Sequence, residues 1–122
     1  MKILYPKRPG DFARWLARHA RWAPEVWLVF KKRASGKQTI TYQGALQEAL
    51  CYGWIDSRVK TLDAERFSVR FTPRRPGSPW SKRNSAFAKA LLQSGRMTDA
   101  GIAVLPSRLR RRAHAKITLN KD

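Results

Sequence analysis

The sequence predicts an α+β domain: a small antiparallel sheet, made of one strand plus a hairpin, packed against about four helices. Three observations carry this. Two runs of period-two alternation, residues 54–60 and 66–72, are joined by the turn-forming stretch Leu62-Asp63-Ala64-Glu65 and read as a hairpin. Stripes of helical period lie on both sides of them. The chain has 122 residues, 43% of them hydrophobic, with five Trp and five Phe, which is enough for one core and argues for a single domain of residues 1–106 followed by a basic tail, 107–122.

Residues 1–10 carry Pro6, Pro9 and Gly10 and read as an extended lead-in. Asp11 has the chemistry of a helix N-cap, and Phe12, Trp15 and Leu16 share one face of the helix that follows, which Pro24 ends. Val26, Leu28 and Phe30 alternate with Trp27, Val29 and Lys31; both faces are apolar enough for a central strand. Ala34 to Lys37 reads as a loop, and Thr39-Ile40-Thr41 as a short strand. Thr41 then caps a helix reaching Tyr52, with Ala45, Leu46, Ala49 and Leu50 as its stripe and Gly53 as its stop.

In the hairpin, Ile55 and Val59 fall on one face of the first strand, and Trp54, Asp56, Arg58 and Lys60 on the other. In the second strand Phe67, Val69 and Phe71 are apolar, and Arg66, Ser68, Arg70 and Thr72 face away from them. After the rigid stretch from Pro73 to Pro79, Ser81 is placed to cap a helix whose inner face is Phe87, Ala90, Leu91 and Ser94 and which stops at Gly95. Thr98 caps a shorter helix containing Gly101, and the tail from Pro106 on forms either a basic helix or an arm that orders on binding.

The net charge is +18. Residues 1–65 hold twelve Lys/Arg against six acids, whereas residues 66–122 hold fourteen against two, with no acid between Glu65 and Asp99. Such a field attracts phosphate polymers and other anionic partners; the plain alternative is that it keeps a small protein in solution. The single cysteine, Cys51, excludes an internal disulfide and reads as a buried, inert thiol. No segment reads as a signal peptide or a membrane span, so the expectation is a cytoplasmic protein without stable membrane insertion.

The chain has no Gly-rich phosphate loop, no His-Glu-x-x-His and no Gly-x-Ser-x-Gly. Its two histidines, His19 and His114, lie far apart in sequence without a carboxylate or thiol set beside them. No catalytic residue, metal ligand or cofactor is assigned. The candidate site is a ligand- or anion-binding surface of Trp54, Asp56, Arg58, Arg70, Arg74, Arg75, Trp80, Ser81, Lys82, Arg83 and Asn84. Arginine forks suit phosphate or carboxylate, an indole suits a base or a cation, and the helix start at Ser81 adds donors. Two alternatives stay open: Asp56 is either a structural partner of Arg58 or Arg70 or part of a pocket, and Trp80 is either a stacking face or a staple holding the loop to the core. The tail run of Arg108, Arg110, Arg111 and Arg112 extends the basic half.

Several of these segments resemble the YdeI/OmpD-associated (bacteriocin-protection) family. The matching residues run from Phe12 to Ala20, from Val26 to Lys32, from Thr41 to Ser57 with its Ala-Leu-Cys-x-Gly-Trp-Ile-Asp block, through Arg66, Phe71 and Pro73-Arg74-Arg75, Trp80 to Asn84, and Gly95 to Gly101. The resemblance implies a small α+β domain and a link to tolerance of antimicrobial peptides or bacteriocins. Its signature positions fall at Gly53, Trp54, Asp56, Arg70, Pro73, Arg74, Arg75, Trp80, Ser81 and Asn84. The chain departs from the pattern at Gly44, and again after Leu105, where an Arg-rich tail replaces a further helical segment. The leading expectation is a non-enzymatic module for an anionic polymer, DNA or RNA, held through its phosphates. The alternative is a small-anion enzyme or sensor with a pocket around Asp56, Arg70, Ser81 and Asn84.

Overall fold

The predicted hairpin forms, and it anchors a four-stranded sheet. The computed structural model describes residues 2–32 and 40–119. In chain order the elements are β1 (Ile3–Leu4), α1 (Pro9–His19), β2 (Val26–Lys31), α2 (Tyr42–Cys51), β3 (Trp54–Thr61), β4 (Arg66–Pro73), α3 (Lys82–Gln93), α4 (Asp99–Ala103) and α5 (Ser107–Leu119). The fold is α+β. The sheet order is β1-β2-β4-β3, with β2 and β3 both antiparallel to β4.

The sheet is mixed rather than purely antiparallel, because the lead-in contributes β1, parallel to β2. An open edge of β2 would leave a row of unpaired backbone groups; the N-terminal segment takes it up, with Trp27 N donating to Lys2 O at 2.9 Å. The first helix also begins earlier than expected. Pro9 occupies its first position, where a missing N–H costs nothing. Asp11 lies inside the first turn, not at the cap, and its carboxylate accepts from the backbone N–H groups of Lys7 and Arg8 at 3.0 and 3.1 Å.

The helices α1 and α2 cover one face of the sheet. Phe12 and Leu16, with Ala45 and Ala49, pack on Val26, Leu28, Phe30, Trp54, Val69 and Phe71. Removing each large apolar side chain from water stabilises the fold by ~1.5–3 kcal/mol, so this cluster is the main source of cohesion. Thr41 caps α2 as predicted, its Oγ1 accepting from Gly44 N. Ile40 and Thr41 carry no strand, and the predicted loop from Ala34 to Lys37 lies outside the described residues.

A second cluster joins α3 to α2 through Leu46, Leu50, Cys51 and Leu91. A third joins α5 to α3 through Ala88, Leu105 and Leu109. The residues after Pro106 thus form a helix docked by Leu109 and Ala113, both buried. Its docking also rotates the buried stripe of α3: Ala88 and Leu91 are buried, while Ala90 and Ser94, expected inside, are exposed.

Two glycines set how α4 meets the turn between α2 and β3. Gly53 has φ +76°, and a Cβ there would stand 2.9 Å from the Ala100 carbonyl oxygen. A Cβ on Gly101 would stand 2.4 Å from the Cys51 carbonyl oxygen. The same Cys51 oxygen accepts from Thr98 N at 3.0 Å and from Thr98 Oγ1 at 2.6 Å, which fixes the approach.

Candidate functional site

The residues singled out from the sequence divide among three environments. The division begins at a β-bulge. In β3, Asp56 is opposite Phe71, but Arg58 is opposite Arg70, so Ser57 is an extra residue in the strand. An inserted residue switches the side to which the following side chains point. Asp56 therefore shares the inner face with Phe71, while Arg58 shares the outer face with Arg70. The expected polar face joining Asp56 to Arg58 and Arg70 does not form.

On the outer face Arg70 is already engaged. Its Nε donates to Glu25 at 2.6 Å and its Nη1 to Ser57 Oγ at 3.4 Å. Arg66 is likewise held by Asp63, at 2.9 Å. Arg58 and Lys60 are exposed beside them. This face is basic, but acids are interleaved with its cations.

The inner group is structural. Trp54 is 1% exposed, so its rings have no face to offer a ligand. The hydroxyl of Tyr42 donates to the Asp56 carboxylate. Burial first, then that hydrogen bond, push the Tyr42 phenol far above its ordinary pKa, against the opposing charge of Arg83. Arg74 follows β4 directly, its N–H bound to Gly53 O at 2.8 Å. It is 9% exposed. Its Nη2 donates to Ser78 Oγ at 3.0 Å and to Pro79 O at 2.7 Å, and its guanidinium carbon lies 4.0 Å from the centroid of the Trp80 ring. Burial lowers the pKa of this guanidinium, while the Asp56 charge acts to raise it. Arg74 is thus the post around which residues 74–80 fold, rather than a cation presented to solvent. Because Asp56 and Arg70 lie on opposite faces of the sheet, the pocket expected from Asp56, Arg70, Ser81 and Asn84 does not assemble. Ser81 caps α3 as predicted, its Oγ accepting from Asn84 N at 3.0 Å.

The third group faces solvent. Arg75, Lys82 and Arg83 are exposed, with Arg83 5.3 Å from the Phe87 ring centroid. Lys82 opens onto a cavity of about 340 Å³ between α3 and α5, lined also by Trp80, Ser85, Ala86, Lys89, Arg108 and Leu109. A second recess of about 140 Å³ adjoins it, lined by Lys89, Leu92, Gln93, Leu109 and Arg112. The shared Lys89 and Leu109 make the two one groove. Lys82, Lys89, Arg108 and Arg112 rim it, and no carboxylate lines it. Among the described residues the ion pairs of this chain use Arg14, Arg66, Arg70 and Arg96; none draws on the groove.

Of the predicted site, then, the groove holds Trp80 and Lys82. Sequence reasoning missed Lys89, Ser85 and Ala86, although the spacing 82, 85, 86, 89 places them on one face of a helix. It noted Arg108 and Arg112 only as part of a charge run. Trp80 packs against the second and third clusters, as a staple would, and it also lines the cavity.

The remaining chemistry is sparse. Burial pushes the Cys51 thiol up to about 11, so it stays protonated and unreactive at neutral pH. His19 stacks on Trp15 with ring centroids 5.0 Å apart, and its Nδ1 lies 3.0 Å from Trp15 O. Among the described residues no group of three or more His, Cys, Asp or Glu could hold a metal ion, and no helix is long and apolar enough to cross a membrane.

Residues 4–104 match a family described as a domain of unknown function (DUF8412). The chain belongs to this family. The DUF8412 span runs from β1 through α4 and ends before α5, so α3 supplies the part of the groove inside the family domain, and Arg108, Leu109 and Arg112 lie beyond it. No curated protein and no solved structure matches the chain.

Proposed function

We propose that this DUF8412 protein is a non-enzymatic binding module for an anionic polymer, nucleic acid held through its phosphates. The observation that carries the reading is the acid-free groove between α3 and α5. Four cations, Lys82, Lys89, Arg108 and Arg112, line it without a carboxylate partner, in the half of the chain that carries a net charge of +12. Among the described residues the ion pairs use Arg14, Arg66, Arg70 and Arg96; in the groove four cations converge with no acid among them, and a polyanion is the ligand that balances several at once. Arg75 and Arg83, exposed beside the start of α3, extend the same charge. Arg58 and Lys60 on the outer sheet face are a secondary contact, since Glu25 and Asp63 offset their neighbours.

The likeness to the YdeI/OmpD-associated family suggests a wider setting in tolerance of antimicrobial peptides. A protein of charge +18 repels cationic peptides, so that setting works through competition for anionic surfaces or through nucleic acid. The reading is tested by titrating labelled DNA and RNA across a salt series. Steep salt dependence that weakens when the groove cations are removed supports it; absence of binding at low salt refutes it.

A further inference from the structure

We infer that the cavity between α3 and α5 receives one nucleotide unit of a single strand, so that the partner is single-stranded rather than duplex nucleic acid. This rests on the polyanion reading above and adds the form of the polymer. Three features of the cavity lead to it. Its volume, about 340 Å³, is at the lower end of the ~300–1,000 Å³ typical of small-ligand sites, the scale of a nucleotide rather than of a duplex backbone. Its lining combines aromatic and apolar side chains, Trp80, Ala86 and Leu109, with the cations Lys82, Lys89 and Arg108. A nucleotide divides in the same way, into a flat base with apolar faces and a charged phosphate. Ser85 also lines the cavity, and a serine hydroxyl can pair with a base edge or a sugar hydroxyl.

The indole is fixed before any ligand arrives. Arg74 lies over the ring at 4.0 Å and is itself tied to Ser78 and Pro79, so stacking on Trp80 requires little ordering of the protein. The adjoining recess, with Leu92, Gln93 and Arg112, offers the next unit of the strand a similar mixture of apolar and cationic side chains. A duplex keeps its bases stacked inside and can reach only the rim cations. A single strand, whose bases are free to splay, can use both wall and rim.

The test compares a labelled single strand, the matching duplex and a mononucleotide competitor at ~0.15 M salt, against the wild-type chain and Ala86→Trp. Ala86 is exposed on α3 and lines the cavity, so the larger side chain fills the cavity without altering charge. The expected result is single-strand binding clearly tighter than duplex binding, reduced roughly tenfold or more by Ala86→Trp as stacking is lost, with duplex binding reduced far less. Thermal unfolding like that of the wild-type chain reports that the variant folds, and Ala86→Leu gives the same contrast in smaller measure. Equal affinity for strand and duplex, or a strand affinity indifferent to both substitutions, overturns the inference while leaving the polyanion reading intact. A mononucleotide that binds as tightly as the strand also overturns it. Failure to bind any nucleic acid overturns both.

Discussion

Arg74 stacks its guanidinium on Trp80, 4.0 Å from the ring centroid, while donating to the Pro79 carbonyl at 2.7 Å. One side chain thereby closes the loop between β4 and α3 and fixes the indole that walls the groove. The geometry needs a planar guanidinium as well as a charge. Arg74→Lys keeps the charge, loses the stack and the reach of Nη2 to Ser78 and Pro79, and is expected to destabilise the fold by ~1–3 kcal/mol. Urea unfolding measures this. Because Arg74 is buried, the same substitution is expected to leave the salt slope of nucleic-acid binding unchanged, whereas Arg75→Ala, at an exposed position, is expected to lower it slightly.

The junction of α4 with the α2–β3 turn predicts strong intolerance at Gly101. A methyl group there meets the Cys51 carbonyl oxygen at 2.4 Å, and backbone rather than a flexible side chain must yield. Gly101→Ala is expected to cost ~1–3 kcal/mol or more, as overpacking does. Thermal unfolding of the variant checks this, with Gly95→Ala as a contrast: a Cβ at Gly95 meets nothing, although its φ of +76° still imposes a smaller backbone penalty.

Stability is expected to fall in alkali in two stages. Burial raises the Cys51 thiol in the folded chain from 9.0 to about 11, and burial with the Asp56 hydrogen bond raises Tyr42 above 10.0. Both groups are acids that hold their protons more tightly when folded, so their contribution is complete below the unfolded pKa and is lost as pH rises above it. Cys51→Ala is expected to remove the part of the decline that starts near pH 9, and Tyr42→Phe a share of the part that starts near pH 10, to which Tyr52, also raised by burial, contributes the rest. Denaturation midpoints across pH 8–11.5 in the three proteins separate the two.

The outer sheet face gives the contrast to the groove. Arg70 is held by Glu25 at 2.6 Å, so Arg70→Ala is expected to change polyanion affinity much less than Lys89→Ala does. Its effect on stability is expected to be about 1 kcal/mol or less, in the range of a partly exposed pair. Side-by-side titrations of the two single variants decide the point.

Much of the fold was legible because its signals are local. Thr41, Ser81 and Thr98 each cap a helix through their own hydroxyl, and Gly53 and Gly95 follow helices with positive φ, as short-range chemistry requires. The bulge at Ser57 was not legible, since one extra residue in a strand leaves no mark in an alternating pattern, and it moved Asp56 to the face opposite Arg58 and Arg70. Strand β1 was missed because Ile3 and Leu4 owe their pairing to the open edge of β2 rather than to any pattern of their own. The groove was half legible. The basic excess of residues 66–122 was visible in composition, but its shape depends on α5 docking by Leu109 beside Ala88, a long-range contact that spacing along the chain does not encode.

The most direct test of the groove as the polyanion-binding surface is the slope of log affinity against log salt for a single-stranded oligonucleotide, measured for the wild-type chain and for Lys82→Ala/Lys89→Ala/Arg108→Ala/Arg112→Ala. Each single-strand phosphate neutralised contributes ~0.7 to the slope. Loss of all four cations is therefore expected to reduce its magnitude by about 3 while the fold persists. A slope unchanged by the four substitutions would contradict the assignment and place the contact elsewhere on the chain.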